Sequence, residues 1–541
     1  MAHTVLITAD IITMDPARPR AGALAVEDGR IIAVGSASEA RAACPAGTPE
    51  RALAGTVVPG FIDSHVHMLW GGRDAERLDV SDARSVAEIL ARVRAYADAQ
   101  PDPEWLSGSA GLDAEDLAEG RFPTAAELDA ATGGRPLFLD RRSHDALVNR
   151  AALAAASIEG GTADPPGGVI ERGADGEATG LLIERPAAEL VQRVQPADTL
   201  ADRLRWLEAI QRRFLAAGIT GVVDPALDAE ELLAYQAAAD TGALIVRTLG
   251  MPLGDGEVPP QERAASFARA GVELERNGER WRVGPWKLFL DGGGSLGTAL
   301  LNDPWPGTDG YHGNQTTSTD GLLAYARWAA RTQTGLGVHA VGSAAIDLVL
   351  DAFADSAGLA AVPLSQLGFT LIHAYLWPSA EQMRRCRDLD ILVATQSPLQ
   401  WSFGPGLVRR FGEAAVGRAH PLASWLASGA TVGGGSDGPA GPGGPPVDPL
   451  WAFWQMRRRT IAGSDEPIGA EEAIDAEQAL YLYTRGAAAV ALAPDRGRLA
   501  VGALADLAAL DVDPLRASPE ACRDGRVLAT MIGGEIVYDA R

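Results

Sequence analysis

Two histidines one residue apart, His65 and His67, follow the apolar residues Val57, Val58, Phe61 and Ile62. On an extended backbone, positions i and i+2 face the same side, so the two imidazoles can converge on one point. Two neutral imidazoles at a strand end make half of a metal site. Taken alone, the pair reads equally well as two surface histidines in a loop. Further along, His339 ends Leu336-Gly337-Val338-His339, His373 ends Phe369-Thr370-Leu371-Ile372-His373, and Asp437 lies in Gly435-Ser436-Asp437-Gly438. Singly, each of those histidines is more often a satisfied core residue, and the aspartate a turn residue. Only eight histidines are present, and four of them fall at such run ends, so the joint placement argues for chemistry.

Lys287, in Trp286-Lys287-Leu288-Phe289-Leu290, is the one lysine among 47 basic residues. Arginine supplies solvated positive charge everywhere else. A surviving lysine points to a place where arginine cannot do the chemistry. Chance is the alternative, since a single leftover lysine must sit somewhere.

These residues need elements to hold them. Short apolar runs at 57–62, 221–224, 244–249, 286–290, 336–339, 369–373, 391–395 and 430–433 alternate with helical stretches such as 200–217 and 344–354. Eight strands alternating with helices predict an α/β fold, a (β/α)8 TIM-type barrel of residues 57–75 plus 199–496. In such a barrel the site lies at the C-terminal ends of the strands, where the histidines and Asp437 fall. Residues 76–198 break the rhythm, with a helical 87–99, a strand-like 136–139 and a Gly/Pro-rich 160–168. They read as an inserted α+β segment near the active-site face. Both chain ends are β-rich, with an acidic-glycine hairpin at 27–29 and a Gly533-Gly534 turn. Residues 1–56 and 497–541 are each too small for a comfortable core, so they are expected to form one small β-sandwich. The stretch 438–446 reads either as a flexible linker or as a tight loop over a pocket.

Composition excludes several classes. A net charge of −24 argues against a nucleic-acid partner, whose phosphates need a basic surface. No run approaches about 18 uninterrupted apolar residues, so no membrane span is expected. The N-terminus lacks a basic leader, and Cys44, Cys386 and Cys522 form neither a disulfide framework nor a Cys-x-x-Cys site. Both features suit a cytoplasmic protein. Asp291-Gly292-Gly293-Gly294-Ser295 lacks the Lys-Ser/Thr of a phosphate loop and is assigned no nucleotide.

With these motifs in place, the chain resembles the amidohydrolase superfamily, and within it the amidohydrolase-3, YtcJ-like group. The resemblance rests on Pro59-Gly60-Phe61-Ile62-Asp63-Ser64-His65-Val66-His67, Lys287-Leu288-Phe289-Leu290-Asp291-Gly292, Val338-His339-Ala340-Val341-Gly342, Ile372-His373-Ala374 and Gly435-Ser436-Asp437. His144-Asp145-Ala146-Leu147-Val148-Asn149 and Gly502-Ala503-Leu504-Ala505-Asp506-Leu507 also look like this group. It implies a metal-dependent hydrolase cleaving a C–N bond in a small amide or formamide. His65, His67 and Asp437 would hold one divalent ion, zinc by ligand type, with iron or manganese as alternatives. His339 and His373 would hold a second, with a carboxylated Lys287 bridging the two. A neutral amine can add carbon dioxide and become a carboxylate-like ligand, and a guanidinium cannot. The metal would lower the pKa of a bound water to about 7, and Asp437 would pass its proton to the leaving nitrogen.

The chain departs from the group's pattern at Ser343, at Ile372 and in Ser295-Leu296-Gly297-Thr298-Ala299, where an acidic residue, a glutamate and an arginine are common. These departures touch substrate contacts rather than metal ligands. His144, His312 and Trp401 are further candidates for substrate contact, each with a structural reading beside it. A lyase, isomerase or cyclase on the same scaffold and a non-catalytic binding protein are the rival functions, and a monomer and a homodimer are both open.

Overall fold

The computed structural model describes residues 4–101, 104–141, 144–438 and 447–540. It is a mixed α/β protein, with four sheets among those residues. Of the glycine-rich stretch 438–446, only Gly438 lies within the described residues.

The two chain ends meet in one continuous seven-stranded sheet. Its order is Glu535–Asp539, Val527–Ile532, Leu507–Leu510, Glu50–Pro59, Thr4–Ile12, Arg20–Glu27, Arg30–Gly35. The join is antiparallel, with Val57 opposite Ala509 and Val58 opposite Ala508. Alternating side chains explain why the small sheet needs both ends. Val5 and Ile7 bury with Leu507 and Met531 on one face, while Leu6 packs with Ala23, Ala25 and Ala40 on the other.

The apolar run expected as one strand over 57–62 is two strands. Pro59 closes the end-sheet strand and Phe61 opens Phe61–Asp63, which pairs with Ile219–Leu227. Gly60 makes the crossing. A Cβ there would lie 2.4 Å from the Thr220 side chain. Both halves are buried, so hydropathy alone runs unbroken through the change of sheet.

All eight expected strands are present, in parallel pairings, though some are shifted. The third runs Arg247–Pro252 rather than 244–249, because Leu244 and Val246 bury before the ladder begins. One sheet orders Trp281–Val283, Arg247–Pro252, Ile219–Leu227, Phe61–Asp63. The other orders Trp286–Phe289, Leu336–Ala340, Thr370–His373, Leu392–Thr395, Thr431–Gly434. The sheets touch at both margins. Leu253 bridges to Lys287, and the Ser64 N–H donates to the Gly434 carbonyl at 3.1 Å. Both faces of the strands are covered, as parallel strands require. Val222, Leu371 and Val393 face the larger core under the helices. Their neighbours Val223, Ile372, Leu392 and Ala394 face a second core with Ile62 and Met251.

Residues 78–183 contribute a six-stranded sheet of mixed direction, ending at Val169–Arg172 on one edge and Leu78–Asp79 on the other. It has its own apolar clusters, one around Ile89, Leu128 and Leu139, the other around Phe138, Val148 and Leu182. The end sheet is locked to the parallel strands by a buried ion pair. Arg247 reaches both oxygens of Asp506, at 2.7 and 3.0 Å, and Asp506 also accepts the Gly533 N–H at 2.8 Å.

Candidate metal centre

The strand Phe61–Asp63 stops before either histidine, so strand alternation is not what brings them together. Hydrogen bonds do it instead. The Asp63 carboxylate accepts the N–H groups of His65 at 3.1 Å and Ser436 at 3.0 Å, which stitches this turn to the segment after Thr431–Gly434. The Asp437 N–H donates to the His65 carbonyl at 2.8 Å, and the His67 N–H to the Gly438 carbonyl at 2.8 Å. The imidazoles end 5.4 Å apart between ring centres, and both aim Nε2 at Asp437 Oδ1, at 3.1 Å and 3.4 Å. Burial works against the Asp437 charge, but the bonds to His65 and His67 outweigh it and hold the carboxyl well below its ordinary range.

The other expected residues arrive at the same place. His339 stands near the end of Leu336–Ala340, and His373 is the last residue of Thr370–His373. Their rings are 4.5 Å apart, and that of His373 is 4.9 Å from His65. His373 sits at φ 76° and Asp437 at φ 57°, conformations that non-glycine residues rarely hold unless their surroundings enforce them. The Gln396 side-chain oxygen lies 2.7 Å from His373 Nδ1, so that nitrogen donates and Nε2 is left toward the centre. Donor atoms of His65, His373 and Asp437 all lie within 4.8 Å of one another. His339 Nε2 is 3.3 Å from the Gly292 carbonyl and 3.5 Å from Asp291 Oδ1.

Asp291 is fully buried and already engaged. It accepts the N–H groups of Val341, Gly342 and Leu300, each at 2.9 Å, and so ties the loop after Lys287 to the loop after His339. Burial drives its pKa up to about 7.

Lys287 is fully buried in Trp286–Phe289, with Nζ 4.7 Å from the centre of the Phe289 ring and no hydrogen-bond partner among the described residues. Burial pulls its pKa down to about 7, against the attraction of Asp437. Burial likewise brings His65 down to about 4 and His339 and His373 well below their ordinary value, so these imidazoles are neutral. The Nδ1 atoms of His65, His67 and His339 are also without partners among the described residues. Buried polar atoms in this number are normally satisfied. Neutral imidazoles and one carboxylate on a common cavity, with an orphaned amine close enough to act on the imidazoles, are a donor set suited to a divalent cation.

The cavity holds about 930 Å³ of empty space including its mouth. Trp70, Phe289, Tyr375 and Phe403 give it apolar walls, and His144 faces it from the inserted segment. His144 lies 5.3 Å from the His339 ring and binds Glu184 Oε2 through Nδ1 at 2.9 Å. Burial would lower the His144 pKa, but the Glu184 charge raises it above the ordinary value.

The other two substrate candidates are placed elsewhere. His312 turns its Nδ1 to the Leu301 carbonyl, 3.1 Å away, and is not among the residues lining the cavity. Trp401, on the helix Pro398–Phe411, packs edge-on against Trp451 at 5.4 Å. Leu399 and Phe403, two positions to either side, face the cavity in its place. Sequence reasoning missed Glu184, Gln396 and the tying role of Asp63. Glu184 and Gln396 carry no local pattern, because their partners lie 40 and 23 residues away; Asp63 stands in the run before His65, but its bond to Ser436 spans 373 residues.

Parallel strands whose C-terminal ends converge on such a donor set form a scaffold suited to metal-dependent chemistry. The chain belongs to the amidohydrolase family, whose sequence model matches residues 54–538. It is 29% identical over its whole length to the N-substituted formamide deformylase of Arthrobacter pascens, covering 99% of that protein. It is 29% identical to the protein of Bacillus subtilis (strain 168) named "Putative amidohydrolase YtcJ", over 98% of each chain. A crystal structure of an uncharacterized metal-dependent hydrolase from Pyrococcus furiosus matches with a TM-score of 0.72 at 26% identity, covering 95% of this chain and 100% of that one. The family makes this protein a hydrolase. No helix among the described residues is long and apolar enough to cross a membrane.

Proposed function

We propose that this hydrolase cleaves the C–N bond of a small amide, with N-substituted formamides the first class to test. The observation that carries the reading is the meeting of His65, His67, His339, His373 and Asp437 at one cavity, with the Lys287 amine near enough to act on three of those imidazoles and without a hydrogen-bond partner among the described residues. The 29% identity to a formamide deformylase selects the class.

The donor distances favour one ion on His65, His373 and Asp437, with His67 beside the carboxylate. His339 and a carboxylated Lys287 provide for a second. Zinc suits these ligands. A divalent ion held by these residues would supply Lewis acidity toward the carbonyl and lower the pKa of a water to about 7. Asp437 is the residue that takes the water's proton and returns it to the leaving nitrogen. His144 contacts the substrate, and Trp70, Tyr375 and Phe403 hold its apolar part and exclude water. The two parallel sheets are read as one (β/α)8 barrel of residues 57–75 and 199–496, joined at Lys287 and Gly434. Residues 1–56 with 497–541 form the companion β unit, and 76–198 the insertion beside the site. The protein is proposed to act in the cytoplasm on a small molecule.

The test is to load purified protein with zinc or manganese and incubate it with a panel of N-alkyl and N-aryl formamides and acetamides in ¹⁸O-labelled water. Release of amine with one labelled oxygen in the acid supports the reading. Fully metal-loaded protein that releases no amine from any member overturns it, and product without label points to a lyase, isomerase or cyclase.

A further inference from the structure

The inserted segment touches the metal cavity through a pair that the chain spacing hides. Asp145–Val148 and Ala178–Ile183 are antiparallel neighbours, with Leu147 opposite Leu181 and Ala146 opposite Leu182. Continuing that register sets His144 opposite Glu184, one residue beyond the ends of the two strands and at the cavity edge. The contact is made, since Glu184 Oε2 lies 2.9 Å from His144 Nδ1. The pair is braced from below. The Glu184 N–H donates to Asp145 Oδ1 at 2.9 Å, and the other Asp145 oxygen takes Arg141 at 2.7 Å.

Two features show that Glu184 is held there against local preference. It is 1% exposed, and its backbone sits at φ 62°, ψ 155°, a region almost reserved for glycine. Its second oxygen leans over Gly292, where a Cβ would come within 2.3 Å of it. A strained, buried carboxylate beside a histidine that faces the site is the arrangement that fixes an imidazole's tautomer and direction.

We infer that Glu184 is a positioning residue, holding His144 with its proton on Nδ1 so that Nε2 is the atom presented to the cavity. A carboxylate accepts from Nδ1–H and leaves Nε2 to meet the substrate opposite His339. The role of His144 toward substrate rests on the function proposed above, but the tautomer does not.

Two arms test it on the metal-loaded full chain. In ¹⁵N-histidine NMR at a pH high enough for His144 to be neutral, with its signals assigned by their loss in His144→Gln, the wild type shows the proton on Nδ1. In Glu184→Gln that preference is lost. A proton on Nε2 in the wild type, or an unchanged pattern in the variant, overturns the inference. In the second arm, turnover of N-butylformamide is followed in Glu184→Gln, His144→Gln and the double variant. Each single change lowers kcat/KM by about 10–100-fold, and the double variant falls no further than His144→Gln. If Glu184→Gln costs as much on top of His144→Gln as it does alone, Glu184 acts independently and the inference fails. Should Glu184→Gln not fold, Glu184→Gly removes the carboxylate while relieving the backbone and is read the same way. If no protein turns over N-butylformamide, the substrate reading is at fault and the NMR arm decides the position of the proton by itself.

Discussion

Lys287 is buried with no hydrogen-bond partner for Nζ among the described residues, and Nζ lies 4.7 Å from the centre of the Phe289 ring. An ammonium ion left so is costly, and a carboxylated side chain coordinating a cation is not. Because it is the one lysine in the chain, ¹³C-bicarbonate with zinc should produce a single lysine carbamate resonance, which Lys287→Arg removes. The same variant keeps the positive charge yet should lose about 100-fold or more in kcat/KM. A second residue-scale prediction concerns Asp224. It is buried, accepts the Leu69 N–H at 3.1 Å and the Tyr235 hydroxyl, and burial raises its pKa to about 6. A raised folded-state value means that the native state holds the proton more tightly than the unfolded chain. Its stabilising share is therefore full below pH 3.8 and lost as pH rises through about 6. In metal-free protein, Asp224→Asn should flatten the fall in denaturation free energy between pH 4 and 6.5 by roughly 3 kcal/mol. An unchanged slope would show that Asp224 titrates normally.

At the scale of elements, the end sheet and the parallel strands are coupled by Arg247 and Asp506, 1% and 5% exposed. Removing Asp506 takes the two-point partner from the buried Arg247 guanidinium and leaves it only Glu279, at 2.6 Å, so Asp506→Ala should cost about 3 kcal/mol in chemical denaturation. A loss under 1 kcal/mol would mean that the sheets are held by apolar packing alone. The elements also show what periodicity can reveal. Helices and strands with long amphipathic or apolar runs were legible, and the hairpin about Gly533-Gly534 forms as its residues suggest. The break at Gly60 was not legible, because Val58 and Phe61 are equally buried while belonging to different sheets. The positions of His312 and Trp401 were not legible either. Which side of a loop or helix faces a cavity depends on neighbours such as Leu301 and Trp451 that folding, not local periodicity, brings beside it.

At the scale of the whole molecule, the candidate ligands span residues 65 to 437, so a bound ion cross-links the start of the parallel strands to their end. A ligand that binds only the folded state adds about 2.7 kcal/mol at one hundred times its Kd. Chelation should therefore lower the Tm, zinc should restore it, and His65→Ala should abolish the difference. Equal Tm values with and without zinc in the wild type would show that no such cross-link forms. The sequence by itself determined which residues could do metal chemistry. Imidazole, carboxylate and a lone lysine are recognisable by type, and the runs that carry them by period. Only the tertiary structure decided how they meet. His65 and His67 converge through hydrogen bonds to Asp63 and Asp437 rather than through strand alternation, and Glu184 stands opposite His144 through a register between strands thirty residues apart. Residue type is a local property of the chain, whereas the direction of a buried side chain is set by groups that folding alone brings beside it.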